Sequence, residues 1–164
     1  MNSNLFATVT SLAALAVAAA AGMMYVFSTF AMRGLDRTGP VSALTAMRGI
    51  NTEANTNAAF LLAYFGAAVL AVVAGGFALT RLGQPGAVWV LVGAALALLA
   101  AVITVAFNVP LNNHLEGLDL TRLSADDMAR EWSAYLSTWS AWNHARTAAG
   151  ALGAVLMTVG VQLR

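Results

Sequence analysis

Four long apolar stretches, residues 5–32, 58–80, 87–107 and 139–163, each reach or approach the roughly 20 residues an α-helix needs to cross a bilayer. In hydrocarbon every backbone polar group must find its partner inside the chain, so stretches of this kind are helices. The expected fold is therefore all-α, an integral-membrane four-helix bundle forming one domain over residues 1–164, with both termini on the same side. A composition of 60% hydrophobic and 9% charged residues lies far from that of water-soluble domains and fits this reading. The first stretch lacks a basic leader and is too long for a cleaved signal peptide, although the small residues 18–22 mimic a cleavage site; it is read as a retained helix.

Four spans place the short turn 81–85 beside the termini and the two longer connections, 33–57 and 108–138, at the other end. Six of the eight arginines and all seven acids fall at that connection end. A polar, partly covered pocket is expected there, where the ends of helices 1 and 3 and the starts of helices 2 and 4 meet. Arginine counting alone would make this end cytoplasmic. The seven acids there more than balance the arginines, however, and the termini end is purely positive, so the balance leans to cytoplasmic termini.

The chain contains no cysteine, which excludes disulfides, thiolate catalysis and cysteine-ligated metal centres. It contains no lysine either, which excludes Schiff-base chemistry on a lysine amine. No basic tract suggests nucleic acid as a partner.

The most informative constellation is the run Trp132, Tyr135, Trp139, Trp142, Asn143 and Arg146. Steps of three and four residues set these side chains on one arc of a helix that continues into the last apolar stretch. Arginine and asparagine near hydrocarbon are costly and normally face a bundle interior or a wet cavity, which marks a site. The plainer alternative is an interfacial aromatic belt with a snorkelling arginine. On the first helix Tyr25 is a candidate donor, while Ser28 and Thr29 are expected to bond back to their own helix. Arg48, Asn51 and Asn55 recur at helical spacing ahead of the second span. They are candidates to hold an oxyanion, and a solvated face is an equally good reading. Pro110 is expected to end or kink the third helix, presenting Asn108 and Asn112 to the pocket or capping the broken end. Ser124 with Asp126 and Asp127 reads as the start of a helix that runs on into the fourth span. His114 and His144 suggest a metal or haem ligated by two histidines. Against this, His144 projects roughly 150° from the centre of the Arg146 stripe at 100° per residue.

Four pieces, GMMYVFSTFAMRG at 22–34, Arg48 with Asn51, FNVPLNNHL at 107–115 and WSAWNHART at 139–147, together resemble the anthrone oxygenase family. The resemblance extends over essentially the whole chain. It implies four membrane helices and, in fungal members, oxidation of an anthrone methylene to a quinone carbonyl by molecular oxygen. It carries Arg48, Asn51, Asn108, Asn112, Trp139, Asn143, His144 and Arg146 into a site, and here the family motif and helical geometry disagree about His144. His114 lies outside the motif.

The function expected is a membrane oxygenase acting on a small hydrophobic, phenolic or polycyclic substrate. Arg146, Asn143, His144 and Arg48 are assigned to the chemistry, and Tyr25, Asn51, Asn108, Asn112, Trp132, Tyr135, Trp139 and Trp142 to binding. Glu53 or His144 would serve as base. Oxygen would be co-substrate without a bound cofactor, and haem or metal on His114 and His144 is the alternative. The competing class is a non-catalytic module that binds a lipid, quinone or haem, or supports a partner protein. The expected partners are the bilayer, a small hydrophobic molecule and a second copy of the chain, and the expected location is a bacterial plasma membrane.

Overall fold

The computed structural model describes residues 3–163, and every element among them is helical. Helix α1 (Ser3–Val26) passes through a π turn (Phe27–Ala31) into the short α2 (Met32–Asp36). Helix α3 (Pro40–Thr56) follows a turn in which Gly39 takes φ +84°, a backbone conformation open to glycine, and Pro40 occupies the first helical turn, where its missing N–H costs nothing. Asn57 then caps α4 (Ala58–Leu79), its side-chain oxygen accepting from Phe60 N at 2.9 Å.

Helix α5 (Ala87–Ile103) runs through a second π turn (Thr104–Asn108) into α6 (Val109–Gly117). Pro110 therefore does not end this helix, one of the two outcomes expected from sequence. It sits in the first turn of α6 directly after the π turn, in which Val109 N bonds Thr104 O five residues back. Helix α7 (Ala125–Gln162) is continuous over 38 residues, as the Ser124 signal suggested. Ser124 and Asp127 form a reciprocal capping box at its start.

Three helical stretches, Asn4–Asp36, Ala58–Leu79 and Ala87–Gly117, are long and apolar enough to cross a membrane. They pack with α7 in a cyclic order: α1 against α4, α4 against α5, α5 against α7, and α7 back against α1. The α5–α7 contact is especially close. A Cβ built on Gly93 would stand 2.7 Å from Gly153 O, and one on Gly153 would stand 2.7 Å from Gly93 O, so neither position admits a side chain. The outward faces carry large apolar residues such as Leu15, Leu62, Val69, Val102 and Val155, all exposed, as suits a hydrocarbon surround.

Two apolar clusters divide the interior. One, built on Phe6, Val17, Ala71, Val90 and Met157, fills the packed helices. The other, built on Met32, Leu44, Met47, Leu115, Trp132 and Trp139, lies beneath α3 where it crosses the amino-terminal half of α7. Between them opens the cavity described next.

Candidate functional site

A cavity of about 480 Å³ is lined by the end of α1, by α3, by the start of α4, by the π turn and α6, and by α7. Those are the helix ends whose meeting the connection lengths foretold. Its walls are mostly apolar: Met23, Met47, Ile50 and Leu61, with Phe27, Phe60 and Trp139 as aromatic faces.

Arg146 supplies the charge. Its side chain is 6% exposed, yet no carboxylate pairs with it among the described residues. Nε and Nη2 both donate to Asn143 Oδ1, at 2.9 and 2.8 Å, and Nη1 donates to Thr104 Oγ1 at 3.1 Å. A guanidinium has five N–H donors, so two remain. The ring of Trp139 lies under the guanidinium carbon at 5.1 Å, a cation–π contact that fixes the plane of the fork.

Each partner of Arg146 is itself held. Asn143, fully buried, donates through Nδ2 to Met24 O (3.0 Å) and to Ser28 Oγ (2.8 Å), so the amide oxygen must face Arg146. Thr104 gives its hydroxyl proton to Ala100 O (2.9 Å); its oxygen is thus an acceptor toward Arg146 and toward the Tyr64 hydroxyl at 2.5 Å. The Trp139 indole N–H (2.8 Å) and the Tyr135 hydroxyl (2.9 Å) both donate to Asn112 Oδ1, fixing that amide in the wall. Asn51 is 4% exposed, lines the cavity and leaves Nδ2 without a partner. The buried polar groups still free in the lining include donors, the guanidinium N–H groups not given to Asn143 or Thr104 and Asn51 Nδ2, while the exposed Asn55 amide adds both a donor and an acceptor. The donors suit a ligand that presents oxygens.

The sequence-selected residues divide accordingly. Arg146, Asn51, Asn112 and Trp139 line the cavity, as does Asn55, and Asn143 stands directly behind Arg146. Asn108 is buried beside them, donating to Trp139 O at 3.2 Å with its own Oδ1 unpaired, and it does not line the cavity. Tyr135 acts through Asn112. Trp132 stacks on Tyr135 and donates to Asp36 Oδ1 at 2.8 Å, tying α7 to the end of α2.

Four further residues lie apart from the cavity and from the groups that hold Arg146, Asn112 and Trp139. Tyr25 is 59% exposed and faces outward; Met24 is the residue that turns inward. Trp142, at the edge of the helical arc, stacks on Phe107 with ring centroids 3.6 Å apart, away from the cavity. Arg48 binds Leu118 O and Glu116 O, each at 3.1 Å, and so locks α3 over the end of α6. His144 is exposed on the outer face of α7, where 100° per residue places it.

Neither proposed base reaches the site. His144 is outside it, and Glu53 is exposed on α3 and absent from the lining. His114 pairs with Glu131 at 3.0 Å near the surface, so the two histidines do not converge on a common ligand position. No group of three potential metal ligands occurs among the described residues.

Sequence reasoning missed Tyr64 and Thr104. Each stands alone in an apolar run, and only the helix packing reveals that they meet Arg146. It also missed the role of Ser28, which orients Asn143 and does not bond back to its own helix. Thr29 does bond back, to Tyr25 O at 2.8 Å.

No curated protein and no solved structure matches the chain. The sequence model of the anthrone oxygenases matches residues 59–156, a stretch that contains Tyr64, Thr104, Asn112, Trp139, Asn143 and Arg146. That match spans more than half of the 164 residues, and the chain belongs to the anthrone oxygenase family.

Proposed function

We propose that the protein is a membrane-embedded oxygenase that converts an acidic methylene of a small polycyclic, phenolic substrate to a carbonyl with molecular oxygen. The observation that carries this reading is Arg146, a buried cation without a carboxylate partner among the described residues, lining a cavity beside the unsatisfied donor Asn51 Nδ2. A buried charge without a partner is costly, and an anionic ligand is the group that would relieve it. A cavity of about 480 Å³ falls within the roughly 300–1,000 Å³ usual for small-molecule sites.

The chain's residues would act on charge and position. The ring system lies against the wall that Phe27 and Trp139 form by touching edge to face, and its oxygen faces Arg146 and the Asn51 amide. Arginine favours the ionised form of that oxygen, so one methylene proton is released, to water at the rim near Asn55, and the charge is held as an enolate. The carbanion carbon gives its electrons to oxygen and a C–O bond forms. The resulting peroxide takes up one proton; loss of the remaining C–H proton with hydroxide then yields the carbonyl. The sum is CH2 + O2 → C=O + H2O, which needs no external reductant.

Under this reading α7 joins the three apolar helices as a fourth crossing, with both termini on one side of the membrane. The test is oxygen uptake by the purified protein supplied with an anthrone. One quinone formed per oxygen consumed, without added reductant, is expected. Tight binding of the anthrone without oxygen uptake would instead make the protein a non-catalytic binder of quinone-like molecules.

A further inference from the structure

A second, smaller cavity of about 30 Å³ adjoins the first. The two share Met24, Tyr64 and Arg146, and the rest of the smaller one is almost wholly alanine and glycine contributed by α1, α4, α5 and α7. Its room exceeds the roughly 10–15 Å³ that a water-sized guest requires. Water is nevertheless poorly served there. A buried water needs two to four polar partners, and the Tyr64 hydroxyl proton is already given to Thr104, whose own proton goes to Ala100 O. Arg146 is left as the single donor and the Tyr64 oxygen as the single acceptor, the fewest partners that hold a buried water, and every other wall is apolar.

A partly open space of this size with methyl walls accepts a small apolar guest. Its flanks at Ala68, Ala100 and Ala101 are only half-buried, and they belong to α4 and α5, whose outward faces are apolar. A guest dissolved in hydrocarbon thus has a short lateral path past small side chains, separate from the mouth of the large cavity near Asn55.

We infer that this alanine-lined void is the dioxygen subsite: a diatomic gas enters from the bilayer between α4 and α5 and is held beside Arg146, across from the organic substrate. The gas is dioxygen on the strength of the oxygenase reading above; that the void admits a small apolar guest stands on its walls alone. The arrangement gives the two reactants separate entries and places a cation where negative charge develops on oxygen.

Two measurements test it. Xenon, an apolar probe, is equilibrated under pressure with the purified protein and located by crystallography or by its own magnetic resonance. In parallel, oxygen uptake with an anthrone is followed at varied oxygen tension. Ala97→Leu fills the void without touching the large cavity, and Ala68→Val, at the half-buried flank, serves if the leucine variant fails to fold. The expected result is xenon between Ala67, Ala97 and Gly150 in the parent and its loss in the variant. The variant's KM for oxygen should rise severalfold while its KM for the anthrone is unchanged. An empty void in the parent under xenon would overturn the inference. So would xenon bound in the parent with an unaltered KM for oxygen in the filled variant, which would make the void a packing gap. Absence of oxygen uptake by the parent would remove dioxygen as the guest, and the oxygenase reading with it; the xenon result would still decide whether the void takes an apolar gas.

Discussion

At the scale of single residues the site turns on where hydrogen-bond capacity is used up and where it is left over. Asn143 and Thr104 spend theirs on holding Arg146, whereas Asn51 keeps a buried N–H without a partner. A buried unsatisfied donor weakens the folded state and strengthens binding of whatever satisfies it. Asn51→Ala should therefore leave thermal stability equal to the parent's or raise it, while weakening ligand affinity about tenfold, the roughly 1–1.5 kcal/mol of one hydrogen bond. Thermal denaturation alongside a binding titration with an anthrone checks this; lost stability with unchanged affinity would make Asn51 a structural residue. Arg146, Asn143 and Trp139 were legible in the sequence because a polar stripe at three- and four-residue steps has few uses at the end of an apolar helix; Asn112 was singled out beside Pro110, for a broken helix end that does not form. Tyr64 and Thr104 were not, since a lone hydroxyl in an apolar run leaves no periodic mark. His144 shows helical geometry prevailing over motif adjacency: one residue from Asn143 is a turn of 100°.

At the scale of elements, the start of α7 was readable and the π turns were not. Ser124 announces a helix start through a side chain that accepts from a backbone N–H, and it does so; Asn57, which was not singled out as a cap, does the same for α4. A π turn inserts one residue into a helix without changing its composition, so Phe27–Ala31 and Thr104–Asn108 left no signal. The second of them rotates Thr104 and Asn108 relative to α6 and lets Pro110 follow without a break. The start of α7 carries a pH dependence. Hydrogen bonds from Ser124, first among the causes, together with the Arg130 charge, hold the Asp127 carboxyl below its ordinary value of 3.8. A carboxyl lowered in the folded state contributes stability above its unfolded pKa, and that contribution is lost as pH falls through the folded value. Hydrogen exchange in the first turn of α7 should therefore speed up as pH drops below about 3.8, relative to the intrinsic rate, and Asp127→Asn should abolish that acid-induced rise. Protection that is flat across this range in the parent would show the capping box to be idle.

For the whole molecule, composition and connection lengths led to the helical class and to the end at which the site lies. The cyclic packing of α1, α4, α5 and α7 adds what no linear reading contains: which apolar faces meet, and hence where the two cavities form. The proposed topology puts Gly83 and Leu163 on one side of the membrane and Asp119 on the other. With no native cysteine in the sequence, single cysteines at these positions can be labelled from one side in intact vesicles. Gly83 and Leu163 should react together, and Asp119 only from the opposite side; labelling of Gly83 and Asp119 from the same side would break the four-crossing arrangement.

The central claim, that an unpaired Arg146 holds the substrate's developing anion, is tested most directly by Arg146→Lys. Lysine keeps the charge but lacks the fork that spans Asn143 and Thr104 while presenting further donors to the cavity. Oxygen uptake with an anthrone by the folded lysine variant should fall about 100-fold or more, the usual effect of removing a donor aimed at developing negative charge. A folded variant that consumed oxygen as fast as the parent would contradict the account and reduce Arg146 to a structural cation.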